Sequence, residues 1–416
     1  MPGNATSSRS RACRVHFHSH HRRPSGAGNR HAPRLRELQA ETEERTYPSA
    51  ETYQQFKAAG FFKVMTPRAF GGYEMSLKDF YRLVIEIARS CPSTGWWYAL
   101  GAAHTVQICS YAAPETQRKV FAFDPDFSGP WTFSSPKGTF VPDGDGYRID
   151  GVWHFASGGP HASFMMAGIA GAEGKYGKAK SVTALIPRGQ FEVLPDWGDI
   201  VGMQGSGSNS VRMENVFVPA DMIFEHDYFQ SMLGPTPGSR MHGNPFFGGL
   251  FAGFAEGGLA AVGVGTGLAA LDEYEFMLRN RNSVHNPGLR RIDDREFLRK
   301  FGMALGKLEM ARGAVLYGAE MYLRNAELSV AGIEPFDQAK ARTIDGAYHA
   351  VENAVFEVID DLARASSSTA FRKGQRMLRY YRDILTLTSR GDFFEFRAAD
   401  VAKMVLDKAP LAQAAE

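Results

Sequence analysis

Residues Trp131–Ser163 read WTFSSPKGTFVPDGDGYRIDGVWHFASGGPHAS, and Pro130 stands before them. Trp131-Thr132-Phe133-Ser134-Ser135 is strand-like, Pro136-Lys137-Gly138 interrupts it, and Asp143-Gly144-Asp145-Gly146 is a turn. Tyr147 to Trp153 then runs back with the period-two alternation of a half-buried strand, so the stretch predicts a hairpin. Its far end, Phe155-Ala156-Ser157-Gly158-Gly159, combines an aromatic face, a hydroxyl and glycines that let a backbone lie close to a flat ligand. An ordinary hairpin with a polar tip has the same composition.

Working outward, the chain is helical before this stretch. Leu35 to Glu44 reads as one helix, and Ser49 is placed to cap a second that ends at Gly60. Pro67 to Gly72 is a turn. Ser93-Thr94-Gly95-Trp96-Trp97 opens an apolar helix that carries His104 and stops near Pro114. A lone histidine on such a helix is more often a satisfied core residue than a ligand contact.

Beyond the hairpin, Phe164 to Ile169 and Ser181 to Ile186 are short strands. Val211 to Pro219 alternates as another, after the loop Gly202-Met203-Gln204-Gly205-Ser206-Gly207-Ser208-Asn209-Ser210. That loop lacks the lysine and the following helix of a phosphate-binding P-loop. Residues 227–244 form a linker, and from Phe246 to Lys408 the pattern is helical, with long amphipathic runs at Asp294–Leu328 and Pro335–Ala365. The division is a basic tail over 1–34, a helical domain over 35–125, a β-domain over 126–240 and a helical bundle over 241–408.

At 416 residues with 44% hydrophobic content, the chain can bury a large core. The net charge is +2, yet residues 1–34 hold seven arginines and no acid, so the remainder carries a net −5. The tail, with His16, His18, His20, His21 and His31, is too poor in apolar groups to fold. Its composition fits a transit peptide as well as an upstream-extended start. No basic stripe interleaved with aromatics suggests a nucleic-acid partner. Cys13, Cys91 and Cys109 lack metal-type spacing, and an odd count implies no disulfide framework, which fits a reducing, cytoplasmic setting. The most apolar run, Phe246 to Leu271, contains eight glycines and Glu256, and reads as a packed helix rather than a membrane span.

Four stretches carry a resemblance. They are AAGFFKVMTPRAFGG (residues 58–72), the paired W-x-x-S and G-x-W-x-F-x-S-G runs at Trp131 and Gly151, the Gly202–Pro219 segment, and Ser366-Ser367-Ser368 followed by Arg379-Tyr380-Tyr381-Arg382-Asp383. Together they resemble the acyl-CoA dehydrogenase superfamily, and within it the branch of two-component flavin monooxygenases. The resemblance implies an α+β fold: an N-terminal helical domain, a central β-barrel or sandwich, and a C-terminal four-helix bundle that also builds a homotetramer. It implies a reduced flavin, FMNH2 or FADH2, supplied by a separate reductase, with O2 as co-substrate and an aromatic or polyketide-like small molecule as substrate.

By the same resemblance Trp131, Ser134, Ser135 and Phe155 hold the ring system, and Ser157 faces its reactive nitrogen. His104 lines the substrate pocket, Arg279 or Arg281 reaches flavin phosphates from a neighbouring subunit, and Ser367 approaches the flavin edge. Arg382 and Asp383 are expected to be structural, with separate partners.

The pattern departs from the branch at Arg390, which stands where many phenol hydroxylases carry a histidine base. Arginine stays protonated, so it holds an anion rather than removing a proton. His104 then takes over, or the substrate is already acidic, or nitrogen or sulfur is oxygenated. Two further classes remain open. An acyl-CoA dehydrogenase requires a carboxylate base in a glutamate-glycine-threonine segment, absent from Ile384–Asp392 unless Asp392 or Glu395 is recruited. A non-catalytic protein could keep the fold without the chemistry.

Overall fold

The computed structural model describes residues 32–132, 138–170, 181–225, 231–283 and 286–408, with the backbone alone for 391–397. Ser134 and Ser135, the histidine-rich tail with Cys13, and the side chains of Asp392 and Glu395 lie outside the described residues.

Seven helices come first: α1 (Ala32–Glu37), α2 (Gln39–Arg45), α3 (Ala50–Ala58), α4 (Leu77–Ser90), α5 (Pro92–Ala103), α6 (Thr105–Tyr111) and α7 (Pro114–Phe123). Ser49 Oγ accepts from the Thr52 amide and caps α3, and Gly60 takes φ +74° after it. The single helix expected over Leu35 to Glu44 is broken at Leu38. Ser76 caps α4, whose apolar positions bury Phe80, Val84 and Ile87. The helix expected through His104 is likewise two helices, α5 and α6, with His104 at the joint.

Among the described residues eight strands follow, in two four-stranded sheets. One has the order β1 (Trp131–Thr132), β4 (Phe164–Ala170), β5 (Ser181–Pro187), β8 (Ile223–Glu225). The other runs β2 (Thr139–Asp143), β3 (Gly146–Trp153), β7 (Val211–Pro219), β6 (Glu192–Val193). The hairpin is real but narrower than expected, because β3 pairs with β2 and not with the Trp131 run. Trp131 and Thr132 instead lie parallel to β4, opposite Met166 and Ala167. There the Met166 amide donates to Pro130 O, and Trp131 Nε1 donates to Thr183 Oγ1 on β5.

The facing sheets bury Tyr147, Ile149, Trp153, Met165, Ala167, Val182, Ala184, Val211 and Met213 between them. The other face of β4 and β5, with Phe164, Met166 and Leu185, joins the helical core. That double burial leaves every residue of Ser181–Ile186 buried, the Ser181 and Thr183 hydroxyls included.

The C-terminal part comprises α8 (Pro237–His242), α9 (Ala252–Asn280), α10 (Arg295–Val330), α11 (Gln338–Ala365), α12 (Arg376–Thr388) and α13 (Gly391–Lys408). α9 is the axis, packing on α4, α10, α11 and α12. It is long and apolar enough to cross a membrane, yet 89% of its most apolar window is buried within the molecule. Its glycines permit close approach: a Cβ on Gly265 would meet Ile85 O at 2.5 Å. The amino-terminal helices and the bundle are tied by Arg379 to Glu43 at 3.1 Å and Arg382 to Glu43 at 2.9 Å.

Candidate active site

Two short exposures in otherwise buried helices and one exposed aromatic ring single out the candidate site. On α5, Trp96 is the one residue of 90–99 that is not buried, and Leu100 follows one turn later on the same face. On α9, Ala255 and Glu256 are the two that are not buried between 252 and 271. Between the sheets, Phe155 is 69% exposed.

At the α5–α6 joint, the buried His104 donates from Nδ1 to Gly129 O, 2.8 Å away. A carbonyl can only accept, so the neutral ring carries its proton on Nδ1 and its lone pair on Nε2. Burial lowers its pKa to about 4 despite that hydrogen bond, which favours the cation. His104 packs against Trp131, at 6.2 Å between ring centres, and against Phe251, at 5.9 Å. Trp131 and Phe251 meet edge to face at 5.7 Å, so β1, the α5–α6 joint and the start of α9 share one aromatic wall.

The opposite wall is the turn after β3. Phe155 has φ +58°, a left-handed conformation that costs an ordinary residue about 1 kcal/mol or more, and its ring meets Trp197 at 6.3 Å. Gly158, at φ +93°, lies across Trp97 of α5. The Gly202–Ser210 loop fixes the turn through Ala156 N to Asn209 O and Gly158 N to Gly207 O. Ser157 is thereby held beneath Trp96, whose Nε1 donates to Ser157 Oγ at 3.1 Å. Ser157 Oγ is 2.7 Å from Ser208 Oγ, which is 2.8 Å from Ser206 Oγ. When Ser208 donates along this row, the Ser157 proton is available to a ligand.

Behind Trp96 lies an ion cluster. The Arg390 guanidinium sits 5.5 Å from the Trp96 ring centre. Its Nη1 donates to Glu256 Oε2 and its Nη2 to Glu352 Oε1, both at 3.0 Å. Burial opposes the Arg390 charge, but Glu352 and Glu256 outweigh it and its pKa is raised. Burial also raises the Glu352 pKa, with Arg390 pulling the other way. Arg390 thus meets two carboxylates of the chain itself, and the open fork expected for an anion is already engaged.

Asp383, seven residues before Arg390, accepts from the Met203 amide at 2.6 Å, while Arg382 turns to Glu43. These separate partners match the structural role expected for the pair. Gly202 makes the loop's approach possible, since a Cβ there would lie 2.1 Å from Arg382 O.

The structure therefore sets Ser157 and Arg390 against Trp96, and His104 and Trp131 against Phe251, with α5 running from one group to the other and Phe155 two residues before Ser157. It places the other candidates elsewhere: Arg281 donates to Thr369 Oγ1 at 3.1 Å, and Ser367 Oγ is 3.0 Å from that same oxygen. Arg279 pairs with Glu275 one turn back on α9. Arg281 is thirty residues past Phe251, about 45 Å along the helix at 1.5 Å per residue. Nearby Arg291 is buried, with Nη1 lacking a hydrogen bond among the described residues, and Arg281 helps burial lower its pKa.

Sequence reasoning missed Trp96, Ser206, Ser208, Glu256 and Glu352 as parts of the site. Glu256 gave a usable signal, since an acid inside an apolar glycine-rich run is costly unless something meets it. Ser206 and Ser208 lie in a loop that reads as fold-determining, and their alignment with Ser157 exists only in three dimensions.

The acyl-CoA dehydrogenase N-terminal domain model matches residues 27–122, and the acyl-CoA dehydrogenase C-terminal domain model matches 257–390. A pigment production hydroxylase of Rhodococcus sp. is 29% identical over 86% of this chain and 89% of its own length. The flavin-dependent monooxygenase oxygenase subunit HsaA of Rhodococcus jostii is 28% identical over 84% and 89%. Among solved structures, XiaF from Streptomyces sp., in complex with FADH2 and glycerol, superposes with a TM-score of 0.79 at 20% identity, covering 92% of this chain and 94% of that one. The 3-HSA hydroxylase from Rhodococcus sp. RHA1 gives 0.78 at 24% identity, covering 92% and 96%.

Proposed function

Because this chain belongs to the acyl-CoA dehydrogenase superfamily, in its branch of two-component flavin-dependent monooxygenases, we propose that it hydroxylates an electron-rich aromatic small molecule, using O2 and a reduced flavin delivered by a separate reductase. The observation that carries this reading is the Ser157 hydroxyl, fixed by Trp96 and Ser208 between two aromatic walls. The residues fit the group: Trp131 and Phe155 offer faces to a flat ring system, and Ser157 has one proton to direct at a ring nitrogen.

A bound reduced flavin supplies the electrons and the site at which O2 reacts. The chain's own tasks are to hold that ring, keep water out and position the substrate. Phe251, Trp131 and Leu100 give the crevice apolar surface, and neutral His104 offers an acceptor rather than a charge. With purified protein, a flavin reductase and 18O2, resorcinol or indole should yield a product carrying one 18O atom. Product without label, or reduced flavin oxidised only to hydrogen peroxide with either compound, counts against the reading.

Assembly as a homotetramer belongs to the same proposal. On α10 a seam at 3.5-residue spacing faces outward: Met303, Gly306, Met310, Gly313 and Tyr317, with the three large residues 56–61% exposed. Nothing stands within 4 Å of where a Cβ on either glycine would lie. An exposed helical glycine costs about 0.5–1 kcal/mol relative to alanine, and a second copy of the chain offsets that by approaching closely. A neighbouring copy would also bring Arg281, Arg291, Ser367 and Thr369 within reach of the flavin phosphates, which resolves their distance from the crevice of their own chain.

A further inference from the structure

The cluster behind Trp96 has an unequal arrangement of charge. Among the described residues, Arg390 is the one cation hydrogen-bonded to both Glu256 and Glu352. Glu352 is the inner partner, its side chain 3% exposed, with His349 Nδ1 3.6 Å from its second oxygen. Glu256 is the outer one, its side chain 20% exposed, in the gap that Ala255 and Glu256 open in α9. Its Oε2 accepts from Arg390, and among the described residues nothing donates to Oε1. With Glu352 ionised and His349 neutral, one guanidinium faces two carboxylates, and the partly exposed Glu256 Oε1 keeps its acceptor capacity for a ligand. A protonated His349 would serve Glu352 and leave Glu256 Oε1 as it is.

We propose that Glu256 is a specificity-determining residue: its free oxygen accepts a hydrogen bond from a ring O–H or N–H of the substrate, while Arg390, a positioning residue, aims it. The substrate class follows from the chemistry. It is a neutral or amine-bearing phenol or N-heteroaromatic, and an aromatic carrying its own carboxylate is repelled. The proposal deepens the monooxygenase reading and rests on it. It also replaces the sequence expectation that Arg390 holds an anionic substrate, because both arms of its guanidinium already donate to carboxylates of the chain.

The test uses the full chain without oxygen, with two probe pairs that differ in a carboxylate: indole with indole-3-acetate, and 4-ethylphenol with 4-hydroxyphenylacetate. Calorimetry on the unaltered protein should show the neutral member of each pair binding about ten-fold or more tightly than its acid, the scale of one charge-assisted contact. In Glu256→Gln the neutral probes should weaken about five-fold or more, and the discrimination should fall below about three-fold. Glu256→Asp, which keeps the charge and withdraws it by one methylene, should retain the discrimination and weaken binding, and thermal melting checks that both variants fold.

Unchanged selectivity in Glu256→Gln would overturn the proposal, as would failure of the unaltered protein to bind any probe at millimolar concentration. Tighter binding of the acids would hand the role back to Arg390. Equilibrium dialysis with FADH2 in the same samples separates the two levels. Protein that does not retain reduced flavin defeats the monooxygenase reading. Protein that retains it but keeps its selectivity in Glu256→Gln defeats this inference alone.

Discussion

At the scale of the residue, Ser157 and His104 do different work with similar means: the protein fixes each through hydrogen bonds and leaves one function over, the proton of Ser157 and the Nε2 lone pair of His104. Replacing Ser157 by Ala removes the proton donor and leaves Trp96 Nε1 without its acceptor. The expected result is several-fold more hydrogen peroxide per product, measured by catalase-corrected oxygen uptake, and unchanged coupling would remove Ser157 from its role. For His104 the prediction is spectroscopic. With a pKa lowered to about 4 by burial, the ring should appear in the 15N spectrum as the neutral Nδ1–H tautomer from pH 6 to 8, without titrating. Ser157 stands out in the sequence because its motif is local. Glu256 was not read as a site residue, since its meaning depends on Arg390, 134 positions later.

At the scale of the element, α12 holds the Gly202 loop, and two predictions test that joint. Gly202→Ala places a Cβ 2.1 Å from Arg382 O, so it should cost about 2–4 kcal/mol and lower the melting temperature by several degrees. Asp383 bears on pH. Burial raises its pKa to about 7, above the ordinary aspartate value, although the Met203 amide and two arginines favour its charged form. Its folded form binds a proton more readily than the unfolded chain does, so its contribution to stability is complete below about pH 4 and is lost as pH rises through 7. Between pH 5 and 8 the melting temperature of the unaltered protein should fall relative to Asp383→Asn. Parallel curves would show that Asp383 is ionised throughout.

Elements were legible where a single periodicity ruled, as in β3, β7, α10 and α11. The Trp131 run reads as the partner of β3, whereas its parallel partner β4 lies some 35 residues along, beyond the reach of a local pattern. The α5–α6 joint was invisible because no proline or glycine marks it. The break coincides with the His104 ring's hydrogen bond to Gly129 O, a distant carbonyl.

For the whole molecule, the α10 seam and the Arg281 group make one prediction together. Met310→Glu should reduce the particle mass measured by light scattering from that of a tetramer, and flavin affinity should fall about ten-fold or more in the same sample. Arg281→Ala should lose a comparable flavin affinity with its mass unchanged. A Met310→Glu protein that is smaller yet binds flavin normally would show that each chain holds its cofactor unaided. The order of helices and strands is legible in the sequence because each motif marks one layer. Which copy supplies the phosphate contacts is not, since that depends on a surface meeting another surface.

The ion cluster also bears on how the protein comes into being. Glu256 and Glu352 emerge from the ribosome before Arg390, and until that arginine arrives the bundle has two acids facing each other with no counter-cation. Closing the interior around them at that stage is unfavourable by several kcal/mol. A chain cut short before residue 390 should therefore close its bundle poorly around the two acids, and faster proteolysis of such a truncated chain than of the full one checks this.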